Sequence, residues 1–243
     1  MLQAYAGGRL FGASFGSEAA RVVALPGWGR THADFDACLD GLDAVAVDLP
    51  GFGATPPPPA AWGSRQYAEA VVPLLAGLPR PAVVLGHSFG GKVAVHLAAG
   101  WPDLVRGLVL TGVPLLRLGP GRRPALTFRA GRALHRKGLI GDARMERVRQ
   151  RYGSADYRNA QGVMRAVHVV SVNETFEDQL RAIRCPVELV WAADDSDVPP
   201  GVAERAADLL AQSTLTICPA GGHLTPLTVP DVLRAAIDRR LAA

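Results

Sequence analysis

The stretch VVLGHSFGGKVAVHLA, Val83–Ala98, joins a short apolar run to an apolar helical pattern through a serine set among glycines. Ala82–Gly86 reads as a buried strand and Gly91–Ala99 as a helix. Between them, Gly86-His87-Ser88-Phe89-Gly90 fits G-x-S-x-G in the strand–turn–helix context that this pattern requires. A serine on so sharp a turn takes strained backbone angles, and the flanking glycines let strand and helix approach without a clash. The turn lifts the Ser88 hydroxyl above the strand end. The start of the following helix aims its positive end and free N–H groups at the same point.

Outward from this turn, strands and helices alternate. Arg21–Leu25, Asp43–Asp48, Gly107–Gly112, Val187–Ala192 and Thr214–Cys218 are continuous apolar runs, as expected of a parallel sheet covered on both faces. Arg65–Leu75, Gly201–Leu210 and Pro230–Leu241 carry helical spacing. The alternation predicts an α/β fold with right-handed crossovers and a mostly parallel central sheet flanked by helices. Leu2–Phe15 alternates around Gly7-Gly8 and reads as an antiparallel hairpin at the sheet edge. The pattern breaks between Pro114 and Arg184, where there are helical patches and no strong strand. The expected organisation is a core of residues 1–113 and 185–243 interrupted by a helical lid, 114–184. Pro56–Pro59 marks a stiff surface loop.

The composition of the 243 residues, 49% hydrophobic and 20% charged, is that of a soluble globular protein. No apolar run approaches the roughly 20 residues of a membrane span. The first residues show no basic start followed by an apolar block, so a cytoplasmic location is the default expectation. Cys38, Cys185 and Cys218 are too scattered for a disulfide framework or a zinc site. The net charge of +4 is uneven: Arg117–Arg165 holds thirteen Arg or Lys against three Asp or Glu, a balance of +10 that leaves −6 elsewhere.

These features together resemble the α/β-hydrolase superfamily over nearly the whole chain. The resemblance implies a chain order of nucleophile, acid, histidine. A serine hydroxyl needs a base to take its proton, and the base needs a carboxylate to fix its tautomer. His223, in PAGGHLTP after the last strand, stands where the superfamily places its base. The acid should follow Val187–Ala192, where ADDSDVPP offers Asp194, Asp195 and Asp197. Asp195 is favoured because, in the resemblance, the acid commonly stands four residues before a proline, here Pro199. Asp194 remains its rival. Of the other histidines, His87 is expected to turn to the opposite side of the elbow and His96 to be packed on the helix. His32, His135 and His168 fall in a loop or in the insertion.

Acyl transfer also needs donors for a developing oxyanion. The resemblance implies the backbone N–H of Phe89, after the nucleophile, and that of Trp28 in PGWGRTHADF. Many relatives have His-Gly where this chain has Pro26-Gly27, but a backbone donor does not require that histidine. DLPGFG, Asp48–Gly53, is a further hallmark, read as a structural turn with Asp48 as a hydrogen-bonding anchor. Serine at 88 excludes the dehalogenases and epoxide hydrolases of this fold, which attack with aspartate. Neither a dinucleotide-binding nor a P-loop signature occurs, and the implied chemistry, acyl transfer to water, uses no metal or cofactor.

The motif set and the basic insertion are also similar to the family of esterases that cleave pimeloyl-acyl-carrier-protein methyl ester. That similarity implies an acidic carrier protein at the lid. A small anionic ester is an equal rival of the carrier protein, and the plainer reading of the charge is a solvated face of lid helices. Nucleic acid is disfavoured because no aromatics interleave with the arginines. The expectation is therefore a serine esterase acting on an ester or thioester. The alternatives are a carbon–carbon bond hydrolase using the same residues and a binding protein that has lost turnover.

Overall fold

The computed structural model describes residues 2–119, 126–152 and 154–242. Eight strands make one sheet: β1 (Leu2–Tyr5), β2 (Leu10–Phe15), β3 (Val22–Leu25), β4 (Ala44–Asp48), β5 (Ala82–His87), β6 (Val105–Thr111), β7 (Val187–Ala192) and β8 (Ser213–Cys218). Their order is β1-β2-β4-β3-β5-β6-β7-β8. The edge hairpin forms as expected: β1 pairs antiparallel with β2, and β2 with β4. Every other pairing is parallel.

The helices outside the insertion are α1 (Asp36–Leu39), α2 (Ser64–Ala76), α3 (Phe89–Gly100), α9 (Gly201–Ala207), α10 (Thr225–Thr228) and α11 (Pro230–Ala242). The central strands β3, β4, β5 and β7 are buried along their whole length because helices cover both faces. The period of two decides which side chain meets which layer. Ala82 and Val84 of β5 join Tyr67 and Val71 of α2 and Val93 and Leu97 of α3. Val83 and Leu85 join Cys38 and Leu39 of α1 and Leu233 and Ile237 of α11. Each fully buried Val, Leu or Ile side chain contributes about 1.5–3 kcal/mol, so these two apolar layers dominate what holds the sheet.

A carboxylate lies inside this apolar frame. Glu188 of β7 is fully buried and ion-paired with Arg239 at 2.8 Å and Arg240 at 3.2 Å, both from α11.

Between β6 and β7 the chain forms α4 (Leu126–Arg136), α5 (Asp142–Tyr152), α6 (Ala155–Asn159), α7 (Gly162–Ser171) and α8 (Glu177–Ala182), with no strand among the described residues. Residues 120–125 and 153 of the expected lid, Arg122 and Arg123 among them, lie outside the described residues. Helix α7 sinks Met164 and Val167 into the larger core cluster. Its C-terminal carbonyl at Ser171 accepts a 2.7 Å hydrogen bond from the buried Lys92 ammonium of α3. A cation is favoured there by the helix dipole. Among the described residues no helix is long and apolar enough to cross a membrane.

Candidate active site

The turn after β5 seats Ser88 at φ 49°, ψ −114°, in the region that L residues rarely occupy. Two contacts hold it there. Its N–H donates to the Thr111 carbonyl of β6 at 2.9 Å. The close passage of α3 over β5 leaves no room for side chains: a β-carbon at Gly86 would lie 2.5 Å from the Gly91 Cα, and one at Gly90 would strike the Leu25 carbonyl. Glycine at both positions is therefore a steric requirement of the turn.

The loop after β8 brings in the imidazole. His223 Nε2 is 3.0 Å from Ser88 Oγ. His223 Nδ1 lies 3.0 Å from Asp195 Oδ2 and 3.2 Å from Oδ1. A carboxylate only accepts, so Nδ1 carries the proton and the bare Nε2 accepts from the serine hydroxyl. Asp195 is fixed in turn, its Oδ1 accepting the N–H groups of Asp197 and Val198 at 2.9 Å each. Of the three acids after β7, Asp195 is the one whose carboxylate reaches His223. Asp194 instead accepts the Gly222 N–H at 2.8 Å and so tethers the histidine loop.

Burial alone would lower the pKa of His223, but the hydrogen bond and the charge of Asp195 outweigh it, and the imidazole stands above its ordinary value. Burial works to raise the Asp195 carboxyl; the His223 and Val198 hydrogen bonds overcome it and hold it below the ordinary range. The pair thus favours a protonated imidazole beside an ionised carboxylate, the state a base reaches after taking a proton.

The loop after β3 closes the other side. A side chain at Gly27 would put its first carbon 3.3 Å from Ser88 Cβ, so the backbone runs directly against the serine turn. The Trp28 and Phe89 N–H groups donate to no acceptor among the described residues. The Trp28 ring packs edge-on against Phe52 at 4.9 Å, Phe89 at 5.5 Å and His168 of α7 at 4.9 Å. These aromatic rings make an apolar wall beside the hydroxyl. Asp48 anchors two loops at once, accepting from the His32 N–H and the Ala54 N–H at 2.8 Å each.

The contacts of His87 were missed by sequence reasoning. Its alternation puts it on the Val83–Leu85 face, and there the loops carrying Gly27 and His223 close over it. Its Nε2 is 2.9 Å from the His223 carbonyl, and the two rings are 5.1 Å apart. Gly112 was also missed as a site residue: it adopts φ +58°, and a β-carbon there would lie 3.1 Å from the His223 ring. The only sequence signal for it was the glycine ending Gly107–Gly112. Among the described residues no group of three His, Cys, Asp or Glu is arranged to hold a metal ion.

The sheet order, the serine turn and the loop-borne histidine define a hydrolase framework, and the model of the alpha/beta hydrolase family matches residues 22–236. The chain belongs to that family. A pimeloyl-[acyl-carrier protein] methyl ester esterase of Chromobacterium violaceum is 31% identical over 229 residues, spanning 83% of this chain and 86% of that protein. The esterase Rv0045c of Mycobacterium tuberculosis is 39% identical over 108 residues, 41% of this chain and 35% of that protein. Among solved structures, a serine hydrolase involved in carbazole degradation covers all of this chain and 98% of its own, with a TM-score of 0.74 at 20% identity.

Proposed function

We propose that this carboxylic-ester hydrolase works through an acyl-serine intermediate. Ser88 is the nucleophile and His223 the general base and then acid. Asp195 orients the imidazole and balances its charge. The Trp28 and Phe89 N–H groups bind the oxyanion. The observation that carries the reading is the unbroken chain Ser88 Oγ, His223 Nε2, His223 Nδ1, Asp195. In the first half-reaction His223 takes the Ser88 proton as Oγ attacks the ester carbonyl. The tetrahedral oxyanion collapses as His223 gives that proton to the departing alcohol. Water, deprotonated by His223, then attacks the acyl-serine, and as the acyl–Oγ bond breaks His223 returns that proton to Ser88 Oγ and the acid leaves. Each oxyanion donor is worth on the order of 3 kcal/mol of barrier.

The segment 114–184 is read as a lid over this site, and its charge as recognition of an anionic or carrier-linked ester or thioester. Arg144, Arg147 and Arg151 are exposed on α5. The similarity to an esterase named for a carrier-protein substrate supports the same reading.

The test is hydrolysis of short-chain p-nitrophenyl esters by the wild type and Ser88→Ala, with intact-mass detection of an acyl adduct. Loss of the nucleophile lowers turnover by about four to six orders of magnitude and removes the adduct. A Ser88→Ala enzyme as active as the parent refutes the mechanism. For the lid, neutralising Arg144, Arg147 and Arg151 raises KM more for an anionic ester than for a neutral one. Equal effects on both refute anion recognition.

A further inference from the structure

His87 sits immediately before the nucleophile, yet the acyl-serine mechanism gives it no step. It is 1% exposed. Burial first, and the nearby His223 second, push its pKa down to about 4, so the ring is neutral under ordinary conditions. A carbonyl oxygen only accepts, so the 2.9 Å contact with the His223 carbonyl fixes the proton on Nε2. Its Nδ1 is then a bare acceptor, and no hydrogen-bond partner among the described residues reaches it. That buried, unpartnered nitrogen costs stability, by the general penalty for an unmet acceptor. The ring nevertheless stands where it meets the two loops that close the site. On one side it holds the backbone of His223. On the other, a β-carbon on Gly27 would come within 2.9 Å of Nδ1 and 3.1 Å of Cε1.

We infer that His87 is a positioning residue: its Nε2–H clamps the His223 carbonyl while its ring braces the Gly27–Trp28 backbone, setting the distance from imidazole to hydroxyl and the place of the oxyanion donor together. This rests on the acyl-serine reading above. The clamp explains why a polar ring occupies an apolar layer between Leu85 and the serine turn, where packing alone favours a hydrocarbon side chain. The donor acts on the backbone of the base rather than on its ring, so it leaves the proton transfer to Ser88, His223 and Asp195.

The experiment compares His87→Phe, His87→Gln and Ser88→Ala in steady-state hydrolysis of a p-nitrophenyl ester, with thermal unfolding of each. Phenylalanine keeps a ring and loses the donor. It also removes the unmet acceptor, so a residue that serves packing alone gives wild-type kcat and an unchanged or higher Tm. The positioning role gives a kcat lower by on the order of tenfold to a hundredfold, the usual cost of a misplacement near 1 Å. KM stays within about twofold, because the loss lies in the chemical step. Glutamine, whose amide reaches the same carbonyl, recovers most of the kcat. Should the phenylalanine variant fail to fold, His87→Asn replaces it, since its shorter amide stops short of the carbonyl. Wild-type kcat in the donor-less variant, or equal losses with and without the donor, overturns the inference. A Ser88→Ala enzyme that retains full activity overturns the acyl-serine reading and this inference with it. An inactive Ser88→Ala beside a fully active His87→Phe overturns this inference alone.

Discussion

Asp195→Asn separates the two acids that the sequence left in competition, and its effect follows from the hydrogen bonds. In the wild type Oδ1 accepts two backbone N–H groups, from Asp197 and Val198 at 2.9 Å. Asparagine keeps those bonds only by turning its amide oxygen toward them. Its NH2 then takes the place of Oδ2, 3.0 Å from His223 Nδ1. Two donors cannot face each other, so Nδ1 gives up its proton and the ring adopts the other tautomer. Nε2 now carries hydrogen and points it at Ser88 Oγ, which it cannot deprotonate. The fold is retained, because the buried loop keeps its backbone bonds, while kcat falls about ten-thousandfold, or about 5.4 kcal/mol of barrier. The control is Asp194→Asn, whose oxygen still accepts the Gly222 N–H and whose kcat stays within about tenfold of wild type. The assay is p-nitrophenyl ester turnover at saturating substrate, with circular dichroism to verify folding. An Asp195→Asn enzyme within tenfold of wild type, or an Asp194→Asn enzyme equally impaired, refutes the assigned direction of the hydrogen-bond chain.

Three further outcomes follow from the geometry. Because the pKa of His223 is raised, kcat/KM is lost as the imidazole protonates, with an acidic limb whose midpoint lies above the ordinary histidine value of 6.5; a midpoint below 6.5 in a pH–rate profile contradicts the Asp195 coupling. Gly112→Ala forces an L side chain into φ +58° and against the His223 ring, lowering kcat by on the order of a hundredfold; kinetics at wild-type level would show the ring to be free to move. Burial lowers Lys92 from 10.5 to about 8, so between those values the unfolded chain binds a proton that the folded one lacks. The wild type therefore gains stability relative to Lys92→Met as pH rises through that window, by about 3 kcal/mol, and urea unfolding at both ends of it that shows a flat or falling difference contradicts the buried ammonium.

The sheet was legible because a strand covered on both faces must be apolar throughout, and Val187–Ala192 could be bounded to the residue. The serine turn was legible because steric crowding allows so few sequences. The short helices α1 and α10 were not. With four residues each, they are too short to be set by propensity and exist because Cys38 and Leu39, or Thr225, find buried places. The helix read as Gly201–Leu210 ends at Ala207, and the Leu210 N–H closes a last turn onto the Ala206 carbonyl at 3.2 Å. The acid was narrowed to Asp195 over Asp194 only through a resemblance, since the residues themselves do not tell which carboxylate faces a loop about thirty residues away, a matter of tertiary direction. The contacts of His87 escaped for the same reason. Its side of the elbow was anticipated, but the partner that covers it is 136 residues distant in the chain.

The ion pairs of Glu188 bear on the order in which the molecule assembles. Its guanidinium partners are synthesised 51 or more residues after the carboxylate. Until they leave the ribosome, β7 as an inner strand would hold a bare negative charge away from water, at a cost of several kcal/mol. The strand that leads into Asp195 is therefore settled only with α11 docked against it, which couples the seating of that carboxylate to a helix far along the chain.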